Sequence, residues 1–284
     1  MKPSPAALIS VLLVVLGACS NGGASPTPSS AVSPAPTSAA SAATSAASGA
    51  LTIYGAASLK GVLDKVKTTY EAANAGTTLT ISTDSSATLE TQIEQGAPAD
   101  VFLSADTTNP KKLVDAGLAA GAAVTFAGNK LTIIVPTANP AGIKTPVDLA
   151  RTGVKVIAAG DAVPITKYAT QLVGNLATQA GYPADFVARY TANIASKEDN
   201  VKAIVAKIEL GEGDGGIVYV TDAEASTKVT TVDVPDVANV PATYAGVVVK
   251  ASRNAAAAQA FLTWFAGPDG QPILAGFGFL SPPP

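Results

Sequence analysis

The sequence of 284 residues contains no histidine and only one cysteine, and aromatic residues make up 5% of it. Without histidine the chain has no Ser-His-Asp triad, no Cys-His pair and no imidazole ligand for a metal ion. With a single cysteine it can form neither an intrachain disulfide nor a Cys-x-x-Cys metal site. These absences exclude the common nucleophilic and zinc-dependent routes of catalysis, and we expect neither enzyme activity nor a cofactor.

Charged residues are also few, at 14% of the chain, with 18 basic and 21 acidic side chains and a formal net charge of −3. The basic residues form no run, so the chain is a poor candidate for binding nucleic acid. Apolar residues make up 48% of the sequence, which is enough to build hydrophobic cores. The length allows one large domain or two ordinary ones.

The N-terminal segment has the pattern of a bacterial lipoprotein signal. Lys2 precedes 11 mostly apolar residues, 6–16, which are too few to cross a bilayer because a membrane helix needs about 20. The stretch runs into the letters LGAC, which place the only cysteine, Cys19, where a lipobox carries its lipid-modified residue. We predict a signal peptide over residues 1–18 and a lipid on Cys19. The alternative is an ordinary secretory signal with a cysteine there by chance.

Residues 19–50 consist mainly of Ala, Ser, Pro and Thr, and they contain no charged residue and almost no large apolar side chain. Such a segment buries too little surface to offset the entropy of ordering. We expect a disordered tether with an r.m.s. reach on the order of 30 Å. The expected arrangement is a globular module held by its lipid on the outer face of the cytoplasmic membrane.

From residue 51 onward, short apolar segments typical of strands alternate with segments whose apolar residues have helical spacing. The predicted strands lie at 51–54, 79–81, 101–103, 131–135, 154–158, 216–220, 229–234 and 244–249. Predicted helices begin near Ser58, Ser86, Asn109, Thr145, Pro164 and Asn200, and a last one spans 255–265. This alternation predicts α/β architecture with parallel-rich sheets, and the remaining length fits two domains of roughly 115 residues each.

Five strand-to-helix junctions carry small or hydroxyl-bearing residues, at 55–58, 84–88, 160–165, 198–201 and 218–222. Ligands of open α/β sheets gather beyond the carboxyl ends of the strands, where helix N-termini present free N–H groups and a partial positive charge. The junctions therefore indicate a shared anion site. Each also has an ordinary interpretation, with Ser58 and Ser86 as helix caps, Tyr219 as a packing aromatic residue and Asp161 as a turn residue.

Several sequence blocks are more specific than these patterns. They are AASL at 56–59, SSATL at 85–89, QGAPADVFLSAD at 95–106, GD at 160–161 with VP at 163–164, EDNV at 198–201, GIVY at 216–219 with TDA at 221–223, and WFAGP at 264–268 with GFGF at 276–279. In this order and spacing, from about residue 51 to residue 280, they resemble the molybdate-binding solute receptors of bacterial ABC importers.

The resemblance implies a type II periplasmic-binding-protein fold, in which two α/β domains joined by a hinge enclose a central ligand cleft. It places domain 1 at 51–128 plus 241–284 and domain 2 at 129–240, with chain crossings near 129–130 and 239–240. It also implies capture of molybdate or tungstate, followed by delivery to a membrane permease and its ATPase. We expect the receptor to be a monomer.

The resemblance also implies the contacts of the oxyanion. Carried over position by position, the hydroxyl donors fall on Ser58, Ser86 and Tyr219, and the backbone N–H donors fall on Ile165 and Val201. The chemistry agrees, because a fully ionised dianion offers only acceptors and requires a pocket of donors. Helix N-termini supply compensating charge without a buried Lys or Arg, and no protein side chain binds the metal directly. Cavity size then selects molybdate or tungstate over the smaller sulfate.

Two residues depart from the family's pattern. Asp84 directly precedes the second serine. If its carboxylate faced the pocket, it would accept a proton from a protonated oxyanion such as hydrogen phosphate; otherwise it points away or caps its helix. Ile165 is bulky where the family often has a small residue, which a backbone donor tolerates.

The residues leave other functions open. The chain could be a receptor for another tetrahedral oxyanion, sulfate or phosphate. A two-carboxylate glycosidase needs no histidine, but the sequence shows no pair of acidic residues at strand ends beside aromatic sugar platforms. A surface adhesin or structural lipoprotein without a small ligand would fit the tether but not the five junctions.

Overall fold

The computed structural model of the chain describes residues 49–282. The predicted signal peptide, the lipidated Cys19 and residues 19–48 of the predicted tether lie outside the described residues. Within the described range, no helix combines the length and the apolar character needed to cross a membrane.

The described chain alternates strands and helices. The strands are β1 (Ala50–Ala56), β2 (Thr78–Asp84), β3 (Val101–Ser104), β4 (Val124–Asn129), β5 (Leu131–Pro136), β6 (Val156–Ala159), β7 (Ile194–Glu198), β8 (Gly215–Tyr219), β9 (Val229–Val232) and β10 (Ala242–Val248). The helices are α1 (Lys60–Ala73), α2 (Ser86–Glu94), α3 (Thr108–Asp115), α4 (Pro164–Ala177), α5 (Phe186–Ala192), α6 (Val201–Glu209), α7 (Val220–Glu224), α8 (Ala255–Ala266) and α9 (Gln271–Gly276). Short 3₁₀ turns occur at Ala57–Leu59 and Pro146–Ala150.

The described strands form two sheets, which confirms the predicted α/β class. The first sheet has the order β2-β1-β3-β10-β4, and the second has the order β7-β6-β8-β5-β9. The chain passes from the first sheet to the second between β4 and β5, and it returns between β9 and β10. This two-sheet arrangement with two crossings is that of a periplasmic binding protein.

The sheets are mixed, so the prediction of parallel-rich sheets was wrong. β1 pairs in parallel with β2 and β3, and β6 pairs in parallel with β7 and β8. In contrast, β10 runs antiparallel to β3 and β4, and β5 runs antiparallel to β8 and β9. The antiparallel strands β5 and β10 are those that enter a sheet directly from the other sheet. They lack the crossover helix that makes consecutive strands of one sheet parallel.

The helices cover the sheets with the apolar faces that their spacing predicts. In α1, Val62, Leu63, Val66 and Tyr70 are buried. The Tyr70 ring meets Phe261 of α8 edge to face, with ring centroids 5.0 Å apart. This contact joins the C-terminal part of α1 to α8.

Local signals located most helix ends, with some corrections. Asn200 caps α6, because its side chain accepts the Ala203 N–H, and Thr145 forms the predicted capping box, although it opens a 3₁₀ turn rather than an α-helix. Helix α3 starts at Thr108, so Asn109 lies inside its first turn; its N–H is instead bonded to the Asp106 carboxylate at 3.0 Å. The sequence patterns predict no element at five places where the apolar pattern is short, namely β4, β7, α5, α7 and α9.

Candidate functional site

Strand ends from both sheets and the N-termini of helices α2, α4 and α6 meet around one small cavity. Its lining comprises Ala56, Ala57, Ser58, Ser85, Ser86, Ala105, Val163, Pro164, Ile165, Asn200, Val201 and Tyr219. All five residues predicted for the oxyanion are in this set, so the structure brings them together. None of these lining side chains carries a charge.

Ser58 lies in the 3₁₀ turn that follows β1, before α1 begins at Lys60. Its side chain is buried, and its Oγ lies 3.0 Å from the Oη of Tyr244 on β10. The interpretation of Ser58 as a helix cap was therefore wrong, because the residue before α1 is Leu59 and the hydroxyl is engaged elsewhere.

Ser86 is the first residue of α2, and its Oγ accepts the backbone N–H of Ala105 at 3.0 Å. A serine hydroxyl has one hydrogen to donate, and that hydrogen is still available for an acceptor in the cavity. Ser86 is not the cap of α2, since the residue at that position is Ser85. The hydrogen bond from Ala105 to the Oγ thus orients the Ser86 hydroxyl as a donor.

Ser85 was not singled out as a binding residue. Its side chain is 3% exposed, and its Oγ has no hydrogen-bond partner among residues 49–282. Leaving a buried hydroxyl unpaired costs about 1–3 kcal/mol. The signal in the sequence was the pair of adjacent serines, but no local rule says which of two neighbours at a helix start faces a cavity.

Tyr219 ends β8 with its side chain 1% exposed. Its Oη has no partner within the described part of the chain. Burial raises the pKa of Tyr219 well above its ordinary value, and the neighbouring Tyr244 acts in the same direction. The phenol therefore stays protonated at neutral pH and offers its hydrogen to the cavity.

Ile165 and Val201 line the cavity in the first turns of two helices. Pro164 is the first residue of α4 and Val201 is the first residue of α6. The N–H groups of a first helical turn have no acceptor within their own helix, so those of Ile165 and Val201 are free to bind a ligand. In α6 the Asn200 cap accepts the N–H of Ala203 and leaves that of Val201 unused.

Asp84 does not line the cavity. Its Oδ1 accepts the N–H of Ser85 at 2.7 Å and the side-chain amide of Asn200 at 3.0 Å. The structure therefore supports the alternative in which the Asp84 carboxylate points away from the pocket. The second bond joins the end of β2 in the first sheet to the cap of α6 beside the second sheet.

A carboxylate also lies behind Tyr219. Asp222 of α7 is fully buried, and its Oδ1 is 2.9 Å from the Nζ of Lys202. Burial raises the pKa of Asp222, whereas the Lys202 ammonium opposes that shift.

Within residues 49–282, no group of three or more acidic or cysteine side chains is placed to hold a metal ion.

A larger cavity of about 220 Å³ lies between α4, α5 and the second sheet. Its walls are mainly apolar, and an ion pair of 2.6 Å between Lys197 and Asp161 contributes to them. Its lining residues all lie between 158 and 217, so this cavity does not combine hydroxyl and free N–H donors from both sheets. The smaller cavity is therefore the candidate site.

Two α/β sheets linked by two crossings, with a cavity of donors where their strand ends meet, define the class of extracytoplasmic solute-binding proteins. The sequence model of the bacterial extracellular solute-binding protein family matches residues 51–280, and the chain belongs to this family.

Individual relatives agree with this assignment. The molybdate-binding protein ModA of Mycobacterium tuberculosis (strain H37Rv) is 33% identical over 233 residues, which cover 82% of this chain and 85% of the relative. The structure of the periplasmic molybdate-binding protein of Azotobacter vinelandii matches with a TM-score of 0.69 at 25% identity, over 82% of this chain and all of that one. The sulfate-binding protein SubI of M. tuberculosis shares the fold, with a TM-score of 0.71 at 23% identity, over 81% of this chain and 86% of SubI.

Proposed function

We propose that this solute-binding protein captures molybdate or tungstate in the small cavity and delivers the anion to the permease and ATPase of an ABC importer. The observation that carries the proposal is the lining of that cavity, where hydroxyl groups and helix N-termini meet and no lining side chain is charged. A tetrahedral dianion offers only acceptors and suits such a lining. The relatives whose names describe molybdate binding support the choice of anion.

In this proposal the anion receives hydrogen bonds from the hydroxyls of Ser58, Ser86 and Tyr219 and from the N–H groups of Ile165 and Val201. The N-termini of α2, α4 and α6 spread the compensating positive charge. No histidine or cysteine takes part, in keeping with a receptor that binds without catalysis.

The contacts of Asp84 bear on the choice of anion. Its carboxylate already accepts two N–H groups, from Ser85 and Asn200, and is not positioned to accept a proton from a ligand. This favours a fully ionised dianion over hydrogen phosphate. Sulfate is the second candidate, because it is also a tetrahedral dianion and SubI shares the fold.

We extend the proposal to the ends and the domains of the chain. Residues 1–18 are removed as a signal peptide, Cys19 carries the lipid, and residues 19–50 tether the protein to the outer face of the membrane. Domain 1 takes in 51–128 and 241–284, and domain 2 takes in 129–240. The composition of the sheets supports this division, since β5 to β9 all belong to the second sheet.

The lipid can be tested apart from the ligand. Cells that produce the full chain are labelled with radioactive palmitate, and the protein is expected to carry the label. The Cys19→Ala variant is expected to lose it. Equal labelling of both chains would show that the cysteine is not the lipidated residue.

The ligand is tested by calorimetric titration of residues 20–284 with molybdate, tungstate, sulfate and phosphate in turn. We expect one-to-one binding of molybdate and tungstate, with little heat from the other two. Binding of sulfate instead would keep the receptor and change its anion. No heat with any of the four would overturn the proposed oxyanion function, and an unchanged melting temperature in their presence would point to a surface protein without a small ligand.

A further inference from the structure

A buried chain of hydrogen bonds leads from the crossing between the sheets to the cavity. It starts at Asn129, the last residue of β4, which is 1% exposed. The Nδ2 of Asn129 lies 3.5 Å from the Oη of Tyr244, a long hydrogen bond, and Tyr244 in turn lies 3.0 Å from the Oγ of Ser58. Tyr244 is fully buried and does not line the cavity.

The contacts of Asn129 show which atoms donate along this series of hydrogen bonds. The Oδ1 of Asn129 accepts the N–H of Lys130 at 2.9 Å, so the amide nitrogen must face the opposite way. There it donates to the Oγ1 of Thr221 at 2.9 Å and to Tyr244. An amide nitrogen cannot accept a hydrogen bond, so Tyr244 receives one from Asn129. Among residues 49–282 the only other hydrogen-bond partner of the Tyr244 Oη is the Oγ of Ser58, which is therefore the acceptor available to the single phenolic hydrogen.

These hydrogen bonds set the orientation of the Ser58 hydroxyl. Because its Oγ accepts the hydrogen of Tyr244, the hydrogen of Ser58 itself is left to point into the cavity. Without Tyr244 the Ser58 hydroxyl could rotate and present its lone pairs to the site. A hydroxyl held in the donor orientation suits an anion, since its orientation is set before the ligand arrives.

We propose that Tyr244, oriented by Asn129, is a positioning residue that holds the Ser58 hydroxyl as a donor toward the bound oxyanion. This inference rests on the proposed function and adds to it a residue that does not touch the ligand. It also connects the crossing between the sheets, where Asn129 contacts Thr221, to one of the donors of the site.

The first test is the variant Tyr244→Phe, titrated with molybdate. We expect at least fivefold weaker binding, with Tyr190→Phe as the matched control. Tyr190 is also buried, on α5, but it lies outside the candidate site, and its variant should bind as the unmodified protein does. The melting temperature without ligand reports any loss of fold in either variant.

A double-mutant cycle separates positioning from general structural damage. In a chain that already carries Ser58→Ala, the further change Tyr244→Phe should alter the affinity by less than twofold, because the hydroxyl that Tyr244 orients is gone. A purely structural role would instead weaken binding by the same factor in both backgrounds, and that result would overturn the inference.

The variant Asn129→Asp tests the direction of donation along this series of hydrogen bonds. A carboxylate there accepts the Tyr244 hydrogen, so Ser58 must donate to Tyr244 and is lost as a donor to the anion. We expect about tenfold weaker binding when Ser58 is present and a smaller loss in the Ser58→Ala background, where only the added charge acts. Equal losses in both backgrounds would contradict the proposed polarity.

The two proposals fail in different ways. If the unmodified protein binds none of the four oxyanions, the proposed function is wrong. If it binds molybdate or another of them and Tyr244→Phe binds equally well, the function stands and the role of Tyr244 is wrong.

Discussion

The two sheets contribute different kinds of donor to the cavity. The first sheet leads into Ser58 and Ser86, whose hydroxyls depend on the side chain. The second sheet leads into the helix starts at Ile165 and Val201, whose donors belong to the backbone, and Tyr219 is its only hydroxyl in the lining. A backbone N–H survives every substitution except proline, whereas a hydroxyl is lost with its residue. One wall of the site should therefore tolerate sequence change and the other should not.

The two kinds of donor are also oriented differently. Helix geometry aims the N–H groups of Ile165 and Val201 along the helix axis. A hydroxyl can rotate, so it needs a neighbour to hold it, and the Ala105 N–H does this for Ser86. The orientation of the hydroxyls on the serine side of the cavity thus depends on hydrogen bonds with neighbouring residues, whereas the orientation of the backbone donors depends on helix geometry alone.

Removal of a backbone donor tests the difference between the two walls most directly, and Val201→Pro should have the largest effect on affinity. Proline is tolerated at the first helical position, and Asn200 before it is extended, with φ −158° and ψ 169°. The variant should keep its ligand-free melting temperature yet bind molybdate at least tenfold more weakly, since a charge-assisted hydrogen bond contributes about 1.5–3 kcal/mol. Unchanged calorimetric affinity would remove Val201 from the site.

Ser86→Ala should come next. It removes a hydroxyl donor and also leaves the Ala105 N–H without its acceptor. We expect about tenfold weaker binding of molybdate by calorimetry. The control is Ser82→Ala, a serine on the neighbouring strand β2 that faces solvent. Equal affinities for both variants would mean that Ser86 does not contact the anion.

Tyr219→Phe should separate binding from stability. The variant is expected to bind molybdate about fivefold more weakly, because one donor is gone. Its ligand-free form should be as stable as the unmodified protein or more stable, since the Tyr219 hydroxyl is buried without a partner in the described chain. Urea unfolding measures the second effect. A clear loss of stability would show that the hydroxyl has a structural partner.

The smallest effect on affinity should come from Ile165→Ala, which changes a side chain on the wall of backbone donors. The change keeps the backbone N–H, so molybdate affinity should shift by no more than about twofold, while removal of a buried isoleucine side chain should cost roughly 2–5 kcal/mol of stability. Calorimetry and urea unfolding measure the two quantities. A tenfold loss of affinity at unchanged stability would mean that the side chain itself shapes the anion pocket.

Much of the fold follows from local patterns. The capping side chain of Asn200 marks the start of α6, the box at Thr145 marks the start of a 3₁₀ turn, and Gly96, with a φ of +88°, follows the end of α2 as the pattern predicted. The grouping of the site residues came from the resemblance to a family, since spacing along the chain left both helix caps and ligand donors open and by itself favoured the caps. The adjacent serines Ser85 and Ser86 show why, because both occur at one helix start and differ only in their tertiary neighbours.

Local sequence patterns specify the α/β class, most strands and helices, and a set of junctions rich in donors, because these depend on residues a few positions apart. Local patterns do not specify the direction of β5 and β10, the partner of Ser58, 186 positions away, or the partner of Asp84, 116 positions away. The physical reason is that such contacts require both crossings between the sheets and the register of the strands to be in place. No local preference of the chain encodes the distance between two residues that meet only after the sheets have formed.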